Sequence, residues 1–252
     1  MNDSQITAQA VVPAAREAEW YNDYYCAVQV MGPWYYFMIP HLRLMLNAQT
    51  KLLELGCGHG HVLRYLAEKS ILPPENIYAI DQSKTAVDFV KEKLPRAHLS
   101  VGDIYKLEFG DNLFDACLLM ETIEHLEEPA PALAEIRRVI KPGGLLYMSF
   151  PNFLHLPWLA VRILAEKLNR PNWIVLQPVD KIYTVFSVIK LVRTAGFEFQ
   201  EGIGSNYGPP VLYPLEKEWV TKTLNALGLW RLSFHPILVF KKPAAGTTGA
   251  GS

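Results

Sequence analysis

The chain has 252 residues, of which 50% are apolar, 12% aromatic and 19% charged, with a formal net charge of −1 and a pI near 6.7. Such a composition suffices for a full hydrophobic core and excludes an intrinsically disordered protein. The near-neutral balance excludes a global basic field of the kind that holds nucleic acid or anionic lipid.

Residues 1–45 lack the basic start and hydrophobic run of a secretory leader, and Trp20, Tyr24 and the residues around 27–28 fall at helical spacing. We expect a helical lid there. Its most apolar stretch, residues 27–40, is too short to span a bilayer and is broken by Gly32 and Pro33. The three cysteines, Cys26, Cys57 and Cys117, have neither disulfide-framework nor zinc-site spacing, which points to a reducing, cytoplasmic setting.

From residue 51 short apolar runs alternate with helical ones. Residues 51–57 read as a strand, 60–69 as a helix, 77–81 as a strand, and Ser83 as the N-cap of the next helix. A third strand ends at 101–103, and the run 114–120, apolar but for Asp115, suits a strand buried on both faces. Residues 129–141 form a helix with Pro129 in its first turn and Lys141-Pro142-Gly143-Gly144 as its stop, followed by a strand over 144–151. This rhythm predicts an α/β fold: a doubly wound, Rossmann-like, mostly parallel sheet with helices on both faces, filling residues 46–243. Beyond it, 156–168 and 184–195 read as helices, 197–203 and 230–241 as strands, and 214–227 as a helical stretch between them. The last strand closes the sheet in antiparallel fashion. Segment 152–182 is expected to cap the carboxyl ends of the strands, where α/β sheets bind ligands, and the Gly/Ala/Thr-rich residues 244–252 to form a flexible tail.

The strongest local signal is Leu52–Val62, LLELGCGHGHV, a strand that runs through Gly56, Gly58 and Gly60 into a helix. Glycines there permit positive φ and close approach of a ligand to backbone N–H groups. Asp81 ends the second strand 21 residues after Gly60, where a carboxylate can accept ribose hydroxyl protons, and Asp103 ends the third strand, placed for an adenine amino group with Ile104 against the ring. Glu54, a carboxylate inside an apolar strand, calls for a partner, and a cationic amino-acid moiety would supply one.

These blocks, together with IYAIDQS, VGDIYKL, FDACLLMETIEHLEEP and RVIKPGGLLYMSFPN, resemble the class I S-adenosylmethionine-dependent methyltransferases, in particular the small-molecule group that includes the ubiquinone-biosynthesis O-methyltransferases. The resemblance is dense over residues 50–152. It implies S-adenosyl-L-methionine as co-substrate and S-adenosyl-L-homocysteine as product. It places Gly56, Cys57, Gly58 and Gly60 beneath the methionine part, Glu54 near its amino group, Asp81 and Gln82 at the ribose, and Asp103 with Ile104 at the adenine. Met120 and Glu121 would face the reactive end, with Tyr25 folding over the donor.

For the transfer itself, the residue type best suited to a general base at neutral pH is His125. If residues 121–125 are helical, Glu121, Glu124 and His125 share one face. As an alternative, these three would hold a divalent metal, as in Mg-dependent 2′-O-methyltransferases, although Asp180 stands where that group has a further His. A nicotinamide-dependent oxidoreductase is a third reading on the same fold, disfavoured by the Gly-x-Gly-x-Gly spacing and by Glu54. The acceptor is expected to be a small, aromatic or lipophilic molecule, with Trp158, Trp173, Tyr183, Tyr207 and Tyr213 lining its pocket. No nucleic-acid partner is expected.

Overall fold

A computed structural model describes residues 35–168, 179, 181–208 and 217–244. Residues 1–34 of the expected 1–45 lid, Tyr25 among them, Trp173, Asp180, Tyr213 and residues 245–252 of the expected tail lie outside the described residues. Helix α1 (Tyr35–Met45) leads into β1 (Leu52–Leu55), α2 (His61–Glu68), β2 (Ile77–Asp81), α3 (Lys84–Lys93), β3 (His98–Val101), β4 (Phe114–Met120), α4 (Pro129–Val139) and β5 (Ile140–Ser149). Then follow α5 (Leu156–Lys167), α6 (Val185–Thr194), β6 (Glu198–Ile203), α7 (Glu218–Ala226) and β7 (Ile237–Lys241). Ser83 caps α3 as expected, accepting the Ala86 N–H, and Thr184 and Ser187 form a capping box at α6.

The seven strands lie in the order β3-β2-β1-β4-β5-β7-β6, and β7 runs antiparallel to both of its neighbours. Strict alternation divides the core in two. Leu53, Leu55, Cys117, Leu119, Leu146, Met148, Leu238 and Phe240 face α4 and α6. Leu52, Ala79, Ala116, Leu118, Tyr147 and Val239 face α1, α2 and α3. This is the doubly wound α/β architecture, with the strand order reversing between β1 and β4. Ligands bind α/β sheets at such a switch point, beyond the carboxyl ends of the strands. No helix among the described residues is long and apolar enough to cross a membrane.

Three boundaries differ from expectation. Strand β3 ends at Val101, so Asp103 stands two residues beyond the strand it was expected to end. Helix α4 stops at Val139 because Ile140 is drawn into the sheet opposite Phe114; Pro142-Gly143-Gly144 is therefore a bulge within β5, not a helix stop. Gly143 takes φ +82°, and a Cβ on Gly144 would stand 2.9 Å from the Asp115 carbonyl. The strand expected over 230–241 begins only at Ile237, after Pro236, which has no N–H to give a ladder. Residues Leu229–Leu232 instead form a 3-10 turn that buries Trp230 over Gly202.

Candidate active site

The switch point gathers the glycine turn. Gly56, Gly58 and Gly60 take φ +70°, +48° and +61°. A Cβ on Gly56 would lie 2.7 Å from Thr122 Oγ1, and one on Gly60 2.8 Å from a Val90 methyl, so both positions require glycine on space as well as conformation. The Gly56 N–H bonds the Ile80 carbonyl at 2.9 Å, and Gly58 donates to Asp81 Oδ2 at 2.8 Å. Asp81 Oδ1 takes the Ser83 N–H at 2.8 Å. Each Asp81 oxygen thus already serves one backbone donor and retains lone-pair capacity for a ligand hydroxyl.

Glu54 is buried in β1, and its Oε2 has no hydrogen-bond partner. Burial, reinforced by the nearby Asp81 charge, pushes its carboxyl up to about 8. Such a group is stabilised as a carboxylate by a cation or by hydrogen-bond donors brought to its free oxygen. Cys57 is buried near it, its thiol pushed well up by burial, and Met120 is buried at the end of β4. Gln82 is exposed. Asp103 is exposed too, with Oδ1 accepting the Tyr105 N–H, while Ile104 is half-buried against the core.

Residues 121–125 are not α-helical. Glu121 sits in the left-handed region at φ +49°, and Ile123–His125 form a single 3-10 turn. The one-face arrangement of Glu121, Glu124 and His125 therefore does not form. Among the described residues no group of three His, Cys, Asp or Glu side chains is disposed to hold a metal ion. The His125 Nδ1 lies 2.7 Å from the Val179 carbonyl and its Nε2 3.6 Å from Glu124 Oε1. Lys181 N–H meets the Glu124 carbonyl at 2.8 Å, so this turn is tied to the chain at residues 179 and 181.

Glu121 turns the other way. Its Oε2 lies 3.5 Å from Nε2 of His235, in the loop before β7. The His235 Nδ1 meets Asn206 Nδ2 at 2.9 Å, and its carbonyl accepts the Ser205 hydroxyl. Sequence reasoning missed His235, Asn206 and Ser205. The only local signal was a pair of polar residues following β6, and only tertiary pairing brings them to β4. Around them Trp158 packs on Phe234 at 4.8 Å between ring centroids, and His155 on the same ring at 5.5 Å.

Residues 53–148 match the family described as "Methyltransferase domain". The ubiquinone biosynthesis O-methyltransferase of Thiobacillus denitrificans is 28% identical over 179 residues, covering 68% of this chain and 75% of that protein. A 37.1 kDa protein of unassigned role, from a Streptomyces fradiae transposon, is 38% identical over 104 residues, 40% of this chain and 30% of that one. This chain spans only 30–57% of the length of the first four curated relatives it matches. Among solved structures, an S-adenosylmethionine-dependent methyltransferase of Methanosarcina mazei superposes with a TM-score of 0.60 at 18% identity, covering 81% of this chain and 98% of that one. At that identity the likeness speaks for the fold.

Proposed function

We propose that this chain, a class I S-adenosylmethionine-dependent methyltransferase by its domain, moves the methyl group of S-adenosyl-L-methionine to an O, N or C nucleophile of a small molecule and releases S-adenosyl-L-homocysteine. The observation that carries this reading is Glu54: a buried acid with an orphaned oxygen, two residues ahead of a glycine turn at the switch point. A dinucleotide brings no cation for that position, whereas the ammonium of a methionine moiety does. The cradle fits the co-substrate elsewhere as well. Asp81 has lone pairs left for ribose hydroxyls, the bare glycines leave room for close approach, and half-buried Ile104 offers an apolar edge to a base.

The sulfonium is already an activated methyl donor. The residues have then to hold it, orient the nucleophile in line with the breaking bond and keep water out. Asp81 and Glu54 do the holding in this reading, with Cys57 and Met120 forming an apolar floor. The aromatic packing of Trp158 and Phe234 near the strand ends supports an acceptor that is aromatic or lipophilic. The net charge of −1 speaks against nucleic acid as substrate.

Incubation with methyl-labelled S-adenosylmethionine and a cell extract, followed by size fractionation, tests the reading. Label in a small lipophilic fraction is expected. Label in RNA or protein would replace the acceptor class, and no binding of S-adenosylhomocysteine would end the methyltransferase assignment.

A further inference from the structure

Glu121 combines features that general packing does not require. It is a non-glycine residue at φ +49°, a conformation that costs an L-residue about 1–2 kcal/mol. Its N–H bonds the Ser149 carbonyl and hydroxyl at 3.1 and 3.2 Å, which fixes this unusual backbone to the end of β5. Its carboxyl is divided in function: Oε2 faces His235, Oε1 is buried outside any well-formed hydrogen bond, and burial, partly offset by the Ser149 hydroxyl, pushes the group up to about 8. The next residue, Thr122, is the one a Gly56 Cβ would strike, so Glu121 stands directly beside the glycine turn.

His235 is held from both sides. With Asn206 Nδ2 donating to Nδ1, the ring carries its proton on Nε2, the atom that faces Glu121. Burial, with His155 close by, pulls its imidazole down to about 3, so the ring acts as a neutral hydrogen-bond donor rather than as a cation. Asn206 is itself fixed, in the left-handed region at φ +58°, with its carbonyl accepting the Phe234 N–H at 3.0 Å. Three elements thus converge to aim one carboxylate: the end of β4, the loop after β6 and the loop before β7.

We propose that Glu121, oriented by His235 and Asn206, is the anchor for the methyl acceptor, and that Oε1 receives the hydrogen of a hydroxyl group at the atom to be methylated. The proposal rests on the methyltransferase reading above and narrows it to protic oxygen acceptors such as phenols. The exchange balances. An acceptor oxygen lone pair forms the new O–CH₃ bond, the S–CH₃ bonding pair returns to sulfur, and the hydroxyl proton passes to Oε1. Glu121 is the residue that touches substrate; His235 and Asn206 are positioning residues.

The test uses the full chain with phenol and anisole as probes, which share the ring but differ in the O–H. Both are titrated into the protein alone and with bound S-adenosylhomocysteine, following the imidazole ¹⁵N signals. At about pH 9, where Glu121 is ionised, phenol should bind and move the His235 Nε2 resonance, and anisole should bind about tenfold more weakly, the worth of one hydrogen bond to a charged group. Glu121→Gln should erase the preference. His235→Gln, whose amide nitrogen can stand in for Nε2, should keep it; His235→Asn, which reaches only the Nδ1 position, should lose it. Equal affinity for the two probes, no phenol binding, or a preference that survives Glu121→Gln overturns the proposal. Calorimetry of S-adenosylhomocysteine is the separate readout: both His235 variants should bind it within about threefold of wild type. Failure of the wild type to bind it counts against the methyltransferase reading, while the phenol–anisole difference still judges the anchor.

Discussion

Asp81 reaches from the end of β2 to the Gly58 N–H, 2.8 Å away, and so ties the glycine turn of one strand to the tip of its neighbour. The same carboxylate holds the Ser83 N–H and with it the start of α3. The residue that prepares the cradle and the residue expected at the ribose are therefore one. Asp81→Ala should leave two buried N–H groups without their acceptor, at about 1–3 kcal/mol each, and abolish detectable S-adenosylhomocysteine binding. Thermal unfolding and calorimetry check both effects. Full affinity in a destabilised variant would reduce Asp81 to a brace.

Gly56→Ala carries two penalties that can be separated. The φ of +70° costs about 1–2 kcal/mol in any L-residue, and the new methyl meets Thr122 Oγ1 at 2.7 Å. Adding Thr122→Ala should recover the steric part alone, giving a coupling on the order of 1 kcal/mol in a double-mutant cycle by denaturant unfolding. Strict additivity would mean that the turn moves away from β4 instead of clashing.

Where local rules decide, the chain announces itself. The run of β1 into three glycines, the Ser83 cap and the largely apolar β4 are each fixed within a few residues, and each appears where expected. The misjudged boundaries are those where tertiary pairing overrides a local signal. Gly143-Gly144 looks like a helix stop, but Ile140 finds Phe114 first and the glycines become a bulge. Trp230 looks like strand, but burying its ring over Gly202 favours a 3-10 turn. The candidate cradle of Gly56, Gly58, Gly60 and Asp81 was legible because these residues lie within short segments at the ends of two neighbouring strands. The partnership of Glu121 with His235 was not, because a bend at φ +49° turns the carboxylate away from the helical face that sequence spacing suggests, toward a loop 114 residues on.

Glu54 should make the ligand-free protein sensitive to pH. Its folded value of about 8 lies above the 4.5 of a free carboxyl, so the native state retains a proton that the unfolded chain gives up. The resulting stability is fully present below pH 4.5, declines as pH rises toward about 8 and is constant beyond. Glu54→Gln removes this loss, so its melting temperature should gain on wild type steadily from pH 5 to 8.5. Binding should respond in the opposite sense. A ligand ammonium favours the carboxylate, so wild-type affinity for S-adenosylhomocysteine should rise across that window, with proton release visible in buffers of different ionisation enthalpy, and the variant should bind weakly at every pH. A flat wild-type profile would remove Glu54 from the ligand's surroundings.

His125 tests whether the turn after β4 does chemistry or carpentry. Its Nδ1 contact to the Val179 carbonyl, 2.7 Å, marks a tether. Asparagine can replace Nδ1 but has nothing at the Nε2 position, so the two roles separate. If the tether is what matters, His125→Asn should match wild type in stability and turnover, while His125→Ala loses about 1 kcal/mol, the net worth of one hydrogen bond. If Nε2 is the base, both variants should fold and bind S-adenosylhomocysteine but slow transfer alike, by about a hundredfold or more. The geometry favours the tether, since Lys181 adds a second link from the same returning segment to the Glu124 carbonyl. Because Glu121, Glu124 and His125 do not converge, turnover should also be unchanged in chelator. Loss of activity restored by Mg²⁺ would show that ligand binding rebuilds this turn into the helical face that the spacing of the three residues first suggested.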